Sequence, residues 1–150
     1  MESDKSKQSD WDNYFISLAY SVAAKSKDPT TKVGAIIADS QNRFISSGYN
    51  GFPRKILDKQ ERLIDREQKL LYTVHGEINA ILFARGPVEG YTLYTVPFAP
   101  CAACTKLVIQ AGIIRVVAPK ASEQLLSRWS KELELSASMF KEAGVELILL

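Results

Sequence analysis

The sequence predicts an α/β fold, a sandwich in which helices cover a mixed five-stranded β-sheet. Two observations lead to this prediction. Short runs rich in β-branched and aromatic residues alternate with longer segments whose apolar residues recur every three or four positions. A short polar turn joins the first two strands, as in a hairpin, whereas helices separate the later strands, as in parallel units.

The chain begins with polar residues of mixed charge. We expect residues 1–10 to be a mobile leader and residues 11–150 to form a single domain. Asp10 is a good N-cap for a first helix, which should end before Asp28-Pro29. The apolar stripe of that helix consists of Trp11, Phe15, Leu18, Ala19, Val22 and Ala23.

A hairpin and a charged segment follow the first helix. Residues 33–38 form an apolar run that predicts a central strand, and residues 43–49 resume an extended pattern after a polar turn. Asn50-Gly51-Phe52-Pro53 ends this second strand. Residues 55–71 are charged, and we predict helix for only part of them.

The second half of the chain alternates helices with strands. We expect Ile78, Ala80 and Leu82 to face inward from one helix, and the last helix to be interrupted near Trp129-Ser130. The predicted elements are a helix over 75–85, a strand over 91–96, a helix over 101–111, a strand over 114–118, a helix over 122–142 and a strand over 145–150.

Charge and hydropathy limit the class of partner. Nineteen basic and seventeen acidic side chains give a formal net charge of only +2. A dedicated nucleic-acid binder usually carries a strong basic excess, so this balance argues against nucleic acid as a partner. No apolar run approaches the roughly 20 residues of a membrane span. We therefore expect a soluble, cytoplasmic protein that binds a small molecule.

Three residues suggest a metal site. His75 is the only histidine of the chain, and Cys101 and Cys104 are its only cysteines. Zn²⁺ prefers imidazole and thiolate ligands, and a catalytic zinc takes three protein ligands with water in the fourth position. A structural zinc normally takes four protein ligands. The residue count therefore predicts one catalytic Zn²⁺ per chain.

The predicted helices bring these residues together. His75 opens one helix, while Cys101 and Cys104, three residues apart, share one face of another. Helix N-termini favour thiolate over thiol, which assists metal binding at neutral pH. Glu77 points away from the metal and can act on its bound water, whose pKa zinc lowers to near 7. A redox Cys-x-x-Cys pair is the alternative, but it leaves His75 and Glu77 without a role.

His75-Gly76-Glu77 followed by Pro100-Cys101-Ala102-Ala103-Cys104 matches the signature of zinc-dependent nucleobase deaminases. Three segments narrow the resemblance: Ser26-Lys27-Asp28-Pro29 followed by Val33-Gly34-Ala35, Gly48-Tyr49-Asn50-Gly51-Phe52-Pro53, and His75-Gly76-Glu77-Ile78-Asn79-Ala80; Gly90-Tyr91-Thr92-Leu93-Tyr94 also fits. With them, residues 11–150 resemble the deoxycytidylate (dCMP) deaminases of the cytidine deaminase-like superfamily. The resemblance implies a three-layer α/β/α sandwich. It also implies hydrolysis of dCMP to dUMP and ammonia, which supplies dUMP for thymidylate synthesis.

The resemblance implies roles for individual residues. The zinc ligands would be His75, Cys101 and Cys104. Glu77 would carry a proton from the zinc-bound water to the base. The resemblance implies substrate-binding roles for Asn50, Gly76 and Asn79. We add Ser26 and Lys27 as further substrate-binding candidates.

These substrate-binding assignments have different grounds. Ser26 and Lys27 are candidates for the 5′-phosphate because of their charge and loop position. Asn50 is equally a turn residue, and Asn79 equally a polar residue of a helix surface. Gly76 stands where the family usually has alanine, which loosens the start of the zinc helix but keeps a backbone N–H for the base.

The second segment also resembles a regulatory region. It implies activation by dCTP and inhibition by dTTP, with Mg²⁺ accompanying the triphosphate, in a homo-oligomeric and specifically hexameric enzyme. The residues concerned are Asn50, Gly51, Phe52 and Arg54. Lys55 follows where the family often has glycine, which alters this loop. By itself the segment predicts only a strained turn with an exposed aromatic side chain.

Two other functions remain open. The first is deamination of another amine on the same fold, namely dCTP, cytidine, guanine or adenosine in tRNA. The near-neutral charge argues against tRNA, whereas dCTP differs from dCMP only in its phosphates. The second is a non-catalytic, zinc-containing nucleotide-binding module. Glu77 favours an enzyme, because a protein that had given up catalysis could most easily lose its proton shuttle.

Overall fold

Helices and strands alternate along the chain much as the sequence predicts. The computed structural model describes residues 2–150, and the side chains from residue 4 onward. The elements are α1 (Glu2–Ala23), β1 (Gly34–Ala38), β2 (Phe44–Tyr49), α2 (Gln60–Ile64), α3 (Arg66–Tyr72), α4 (Gly76–Phe83), β3 (Thr92–Val96), α5 (Ala102–Gln110), β4 (Arg115–Ala118), α6 (Glu123–Ala143) and β5 (Glu146–Leu149).

The strands form one mixed sheet in the order β2-β1-β3-β4-β5. β1 runs antiparallel to both β2 and β3, whereas β3, β4 and β5 run parallel to one another. Parallel neighbours need a crossover connection, which α5 and α6 provide here. The opening hairpin and the parallel end of the sheet are therefore confirmed.

The central strand β1 shows why the fold has three layers. Successive side chains of a strand point to opposite faces of the sheet. Ala35 and Ile37 pack with residues of α4, α5 and α6 on one face, whereas Ile36 and Ala38 pack with α1 on the other. All four side chains are fully buried. The predicted three-layer α/β/α sandwich is confirmed.

The start of the chain differs from the prediction. Residues 2–10, expected as a mobile leader, are the first turns of α1, and Met1 lies outside the described residues. Gln8 Nε2 donates to Asp12 Oδ1 at 3.0 Å and to Asn42 Oδ1 at 3.2 Å. Lysine, glutamate and glutamine are good helix formers. Polarity alone was therefore the wrong guide to this segment, and Asp10 is not an N-cap.

Three smaller expectations also need correction. α1 ends at Ala23, well before Asp28-Pro29. α6 is continuous through Trp129-Ser130, and Gly144 ends it with a left-handed backbone at φ 74°. Leu82 is 67% exposed and does not face the core, because α4 buries only the side that packs on the sheet. Among the described helices, none combines the length and apolar character that crossing a membrane requires.

Candidate active site

The N-termini of α4 and α5 meet at one point. His75 is the N-cap of α4, and Cys101 is the N-cap of α5. The Nδ1 atom of His75 lies 3.1 Å from Sγ of Cys104 and 3.5 Å from Sγ of Cys101. One ligand atom from each of the three residues lies within 4.8 Å of the others. The structure thus brings together the three residues that the sequence analysis selected as metal ligands.

Close backbone packing holds α4 in this position. A Cβ atom on Gly48 of β2 would lie 2.4 Å from the backbone nitrogen of Ala80 and 2.5 Å from the carbonyl oxygen of Gly76. Only glycine allows this approach. Just before α4, Val74 and Gly51 exchange two backbone hydrogen bonds of 2.8 and 3.1 Å. The end of β2 therefore fixes the residue that precedes His75.

The electrostatics of the cluster favour a thiolate. The hydrogen bond between the two cysteines lowers the pKa of the Cys101 thiol to about 4, against the opposing effect of burial, and His75 assists. The same hydrogen bond, together with burial, raises the pKa of Cys104. The contact with Cys101 raises the pKa of His75. One sulfur of the pair is therefore readily ionised, which is the form that binds metals.

The donor set fits zinc. Two thiolates and an imidazole are the ligand types that Zn²⁺ prefers, and a tetrahedral ion with bonds of about 2.0–2.3 Å separates its ligands by roughly 3.5 Å. The observed separations of 3.1 and 3.5 Å are close to this value. Three protein ligands leave one coordination position for water or substrate, as in a catalytic site.

Glu77 lies beside the cluster. Its side chain is 4% exposed, and its Oε1 accepts a hydrogen bond of 2.8 Å from Thr95 Oγ1. Glu77, His75 and Cys101 all line one pocket. The carboxylate therefore stands where it can act on a molecule bound at the floor of that pocket.

The walls of this pocket combine apolar and cationic side chains. Phe98 and Trp129 stack with ring centroids 6.0 Å apart and an interplanar angle of 28°. Lys69 is buried in the wall and pairs with Asp28 at 3.1 Å. Exposed side chains belong to the mouth of a pocket and buried ones to its floor. Arg66 and Arg128, both exposed, therefore belong to the mouth.

Asn50 lines the pocket, but its amide is already engaged. Its Oδ1 accepts from the Val33 backbone N–H at 2.9 Å, and its Nδ2 donates to the Thr31 carbonyl at 3.0 Å. These bonds hold the loop between α1 and β1 against the end of β2. Each amide atom keeps one further hydrogen-bonding position. A role for Asn50 in binding substrate stays a prediction.

The other predicted substrate residues do not line this pocket. Ser26 is buried and donates to the Asn50 carbonyl at 3.0 Å. Lys27 pairs with Asp58 at 2.8 Å on the surface. Asn79 Nδ2 donates to the Tyr49 carbonyl at 2.8 Å, which fastens α4 to β2. Gly76 contacts the β2 backbone.

The segment predicted to be regulatory lies next to the site. Gly51 and Phe52 line a small second cavity together with Lys27 and Asp58. Lys69 lines both this cavity and the main pocket. Phe52 contacts Tyr72 with centroids 5.6 Å apart, and the Arg54 guanidinium lies 5.3 Å from the centre of the Phe83 ring.

Sequence reasoning missed four residues of this site. Thr95 is a fully buried polar residue of β3, but the sequence alone does not distinguish it from Thr92 of the same strand. Arg66, Arg128 and Trp129 lie on helices that are distant in sequence from the motif. Nothing in their spacing indicates that they share a pocket with Glu77.

An α/β/α sandwich with a His/Cys/Cys donor set beside a buried glutamate is the arrangement of a zinc-binding nucleobase deaminase domain. A family model described as the cytidine and deoxycytidylate deaminase zinc-binding region matches residues 9–120. The chain belongs to this family.

Several relatives have similar sequences. A protein of Aliivibrio fischeri described as an uncharacterized deaminase in the luxG 3′ region is 42% identical over 139 residues, which cover 93% of this chain and 92% of that one. A probable deoxycytidylate deaminase of Drosophila melanogaster is 45% identical over 71% of this chain. The deoxycytidylate deaminase of Homo sapiens is 39% identical over 72% of this chain. The match spans 58% of the fly protein and 64% of the human one.

A solved structure shares the fold. The dCMP deaminase of the cyanophage S-TIM5, crystallised in complex with dCMP and dUMP, superposes with a TM-score of 0.72. The superposition covers 92% of this chain and 95% of the phage protein at 19% sequence identity. This similarity supports the three-layer architecture independently of the sequence motif.

Proposed function

We propose that this protein catalyses the hydrolytic deamination of dCMP to dUMP and ammonia. One observation carries the proposal: His75, Cys101 and Cys104 converge on one point, and His75 and Cys101 line a pocket together with buried Glu77. The family membership of the chain and the names of its relatives, several of them deoxycytidylate deaminases, support the same substrate.

His75, Cys101 and Cys104 would hold Zn²⁺, which supplies the Lewis acidity that makes water nucleophilic at neutral pH. Glu77 takes a proton from the attacking water and delivers it to the ring nitrogen of cytosine. Glu77 then takes the proton of the new hydroxyl on C4 and passes it to the amine, so that C4=O forms as the C4–N bond breaks and ammonia leaves. The hydroxyl of Thr95 donates a hydrogen bond to Oε1 of Glu77. In this mechanism the other carboxylate oxygen, Oε2, exchanges protons with the substrate.

The pocket suits a pyrimidine nucleotide. Val33, Leu70 and Phe98 give it an apolar wall against which a planar base can lie. The buried floor excludes bulk water, which strengthens the interaction between Glu77 and the reacting atoms. The mouth, with its exposed arginines, is left for the sugar and phosphate.

We further propose that the segment from Asn50 to Arg54 couples triphosphate binding to activity. In this proposal dCTP with Mg²⁺ activates, dTTP inhibits, the enzyme is a hexamer, and its product feeds thymidylate synthesis. The paired backbone bonds between Gly51 and Val74 support the coupling, because Val74 directly precedes His75. Turnover of dCMP that is indifferent to both triphosphates would refute this part of the proposal.

The proposal is tested by measuring ammonia release from dCMP, dCTP, cytidine and deoxycytidine with zinc-loaded protein. We expect turnover of dCMP and little of either nucleoside. Comparable turnover of dCTP would establish a broader deoxycytidine-nucleotide deaminase. No release from any cytosine compound, with one zinc bound per chain, would refute the proposed substrate and favour either another amine substrate of the same fold or a nucleotide-binding module.

A further inference from the structure

The outer part of the pocket is built in part by an element that lies beyond the residues matched by the family model. Arg128 and Trp129 belong to α6, beyond the matched residues 9–120. α6 packs along α5, the helix that carries Cys104, and so reaches the same pocket. Arg66 of α3 also lines it. The substrate's outer end therefore meets residues that the shared deaminase motif does not specify.

The two arginines are available for a ligand. Among the described residues, neither Arg66 nor Arg128 forms an ion pair with a carboxylate, whereas Lys69 is paired with Asp28. A phosphate monoester carries a charge of about −1.5 to −2 at neutral pH. The planar guanidinium group matches the spacing of phosphate oxygens and can donate two hydrogen bonds at once.

Trp129 adds a neutral donor to the same region. Its Nε1 atom is buried, and no acceptor for it lies among the described residues. A buried N–H without a partner is unfavourable, because it has lost its bonds to water. The indole stacks on Phe98, and both side chains line the pocket, so this N–H belongs to a residue that a bound ligand would contact.

Building on the proposed function, we infer that Arg66, Arg128 and the indole N–H of Trp129 bind the phosphate end of the nucleotide. α6 thereby selects a nucleoside monophosphate over the corresponding nucleoside. This assignment replaces Ser26 and Lys27, whose polar groups are engaged with Asn50 and Asp58.

The first test measures binding of the product, so that it does not depend on turnover. The chain has two tryptophans, and a Trp11→Phe protein reports on Trp129 alone. Its fluorescence is titrated with dUMP and with deoxyuridine. We expect Arg66→Gln and Arg128→Gln each to weaken dUMP binding about tenfold, and the double variant to weaken it further, with deoxyuridine changed less than about twofold. Lys131→Gln, which removes an exposed charge from the same helix, is the matched control and should leave both affinities unchanged.

The second test addresses the indole. Trp129→Phe keeps an aromatic ring beside Phe98 but removes the N–H. We expect kcat/KM for dCMP to fall about fivefold while that for deoxycytidine changes little, as for loss of a single hydrogen bond.

The possible outcomes are distinct. If the wild-type protein deaminates dCMP but the double arginine variant keeps the wild-type affinity for dUMP, the inference is wrong and the proposed function stands. Equal losses for dUMP and deoxyuridine would also overturn it. A wild-type protein that neither binds dUMP nor deaminates dCMP overturns both.

Discussion

Thr95 Oγ1 donates a hydrogen bond of 2.8 Å to Oε1 of Glu77, and both side chains are buried. Thr95 belongs to β3, which pairs with β1 on one side and β4 on the other. A central strand is among the most rigid parts of a domain. Thr95 therefore holds the carboxylate of Glu77 in one orientation, and in the proposed mechanism it is a positioning residue.

Removing only this hydroxyl should slow the reaction. Thr95→Val preserves the side-chain shape, so we expect kcat for dCMP to fall about tenfold or more because the carboxylate loses its orientation. KM and zinc content should stay near the wild-type values, and Thr95→Ser should restore most of the rate. Steady-state kinetics and metal analysis check this. Wild-type kcat in Thr95→Val would show that the hydrogen bond is dispensable.

Loss of a sulfur ligand should affect metal and stability together. We expect Cys101→Ser and Cys104→Ser each to purify with far less than one zinc per chain and with a lower Tm, because metal binding and folding are coupled. Adding a chelator should lower the Tm of the wild-type protein and leave that of the variants unchanged. A variant that retains one zinc per chain would refute its ligand assignment.

Two glycines that bring α4 and β2 together should respond differently to alanine. A Cβ on Gly48 would meet backbone atoms at 2.4–2.5 Å, whereas a Cβ on Gly76 would meet its nearest neighbours at 3.1–3.4 Å. We expect Gly48→Ala to destabilise the protein by roughly 3 kcal/mol or more and Gly76→Ala by about 1 kcal/mol or less. Urea unfolding of the two variants measures the difference. Equal stabilities would contradict the packing described here.

A buried ion pair between α1 and β4 should make stability depend on pH. Arg115 donates to Asp12 at 2.8 Å, and Tyr94 donates to the same carboxylate at 2.6 Å. Burial alone would raise the pKa of Asp12, but the bonds from Arg115, Tyr94 and Gln8 outweigh it and hold the pKa below the ordinary 3.8. A carboxyl group whose pKa is lower in the folded than in the unfolded protein stabilises the fold at pH values above its unfolded-state pKa. This stabilisation is lost as the pH falls through its folded-state pKa.

We therefore expect Asp12→Asn to cost about 3 kcal/mol near neutral pH, because it leaves the guanidinium of Arg115 without its partner. The difference from wild type should shrink as the pH falls below about 4. Denaturant unfolding at several pH values checks this. A difference that is the same at acidic and neutral pH would show that the carboxylate charge is not its source.

The sequence was informative where local pattern determines structure. Short runs of apolar, β-branched residues predict the strands, because such runs depend on residues close together in the chain. The His/Cys/Cys cluster joins residues 26 and 29 positions apart, and the count of soft ligands predicts it instead. It was misleading at residues 2–10, where polarity was taken for disorder although the segment is helical. The prediction that Leu82 faces inward was also wrong, because periodicity does not reveal how wide the buried face of a helix is.

The outer part of the pocket lay beyond such reasoning. Arg66, Glu77 and Trp129 line one pocket although they belong to three separate helices, α3, α4 and α6. Lys27 had the right charge and loop position for a phosphate ligand, but Asp58 pairs with it. Whether a cationic side chain is free to bind phosphate depends on which carboxylates pack next to it. The spacing of residues in the sequence does not reveal such tertiary contacts.

The most direct test of the account is metal reconstitution followed by ammonia release from dCMP. Wild-type protein stripped of metal should be inactive and should recover turnover with one equivalent of Zn²⁺. Glu77→Gln should bind the same zinc yet turn over at least about a hundredfold more slowly, since it cannot carry the proton. Full turnover without metal, or wild-type turnover by Glu77→Gln, would contradict the mechanism.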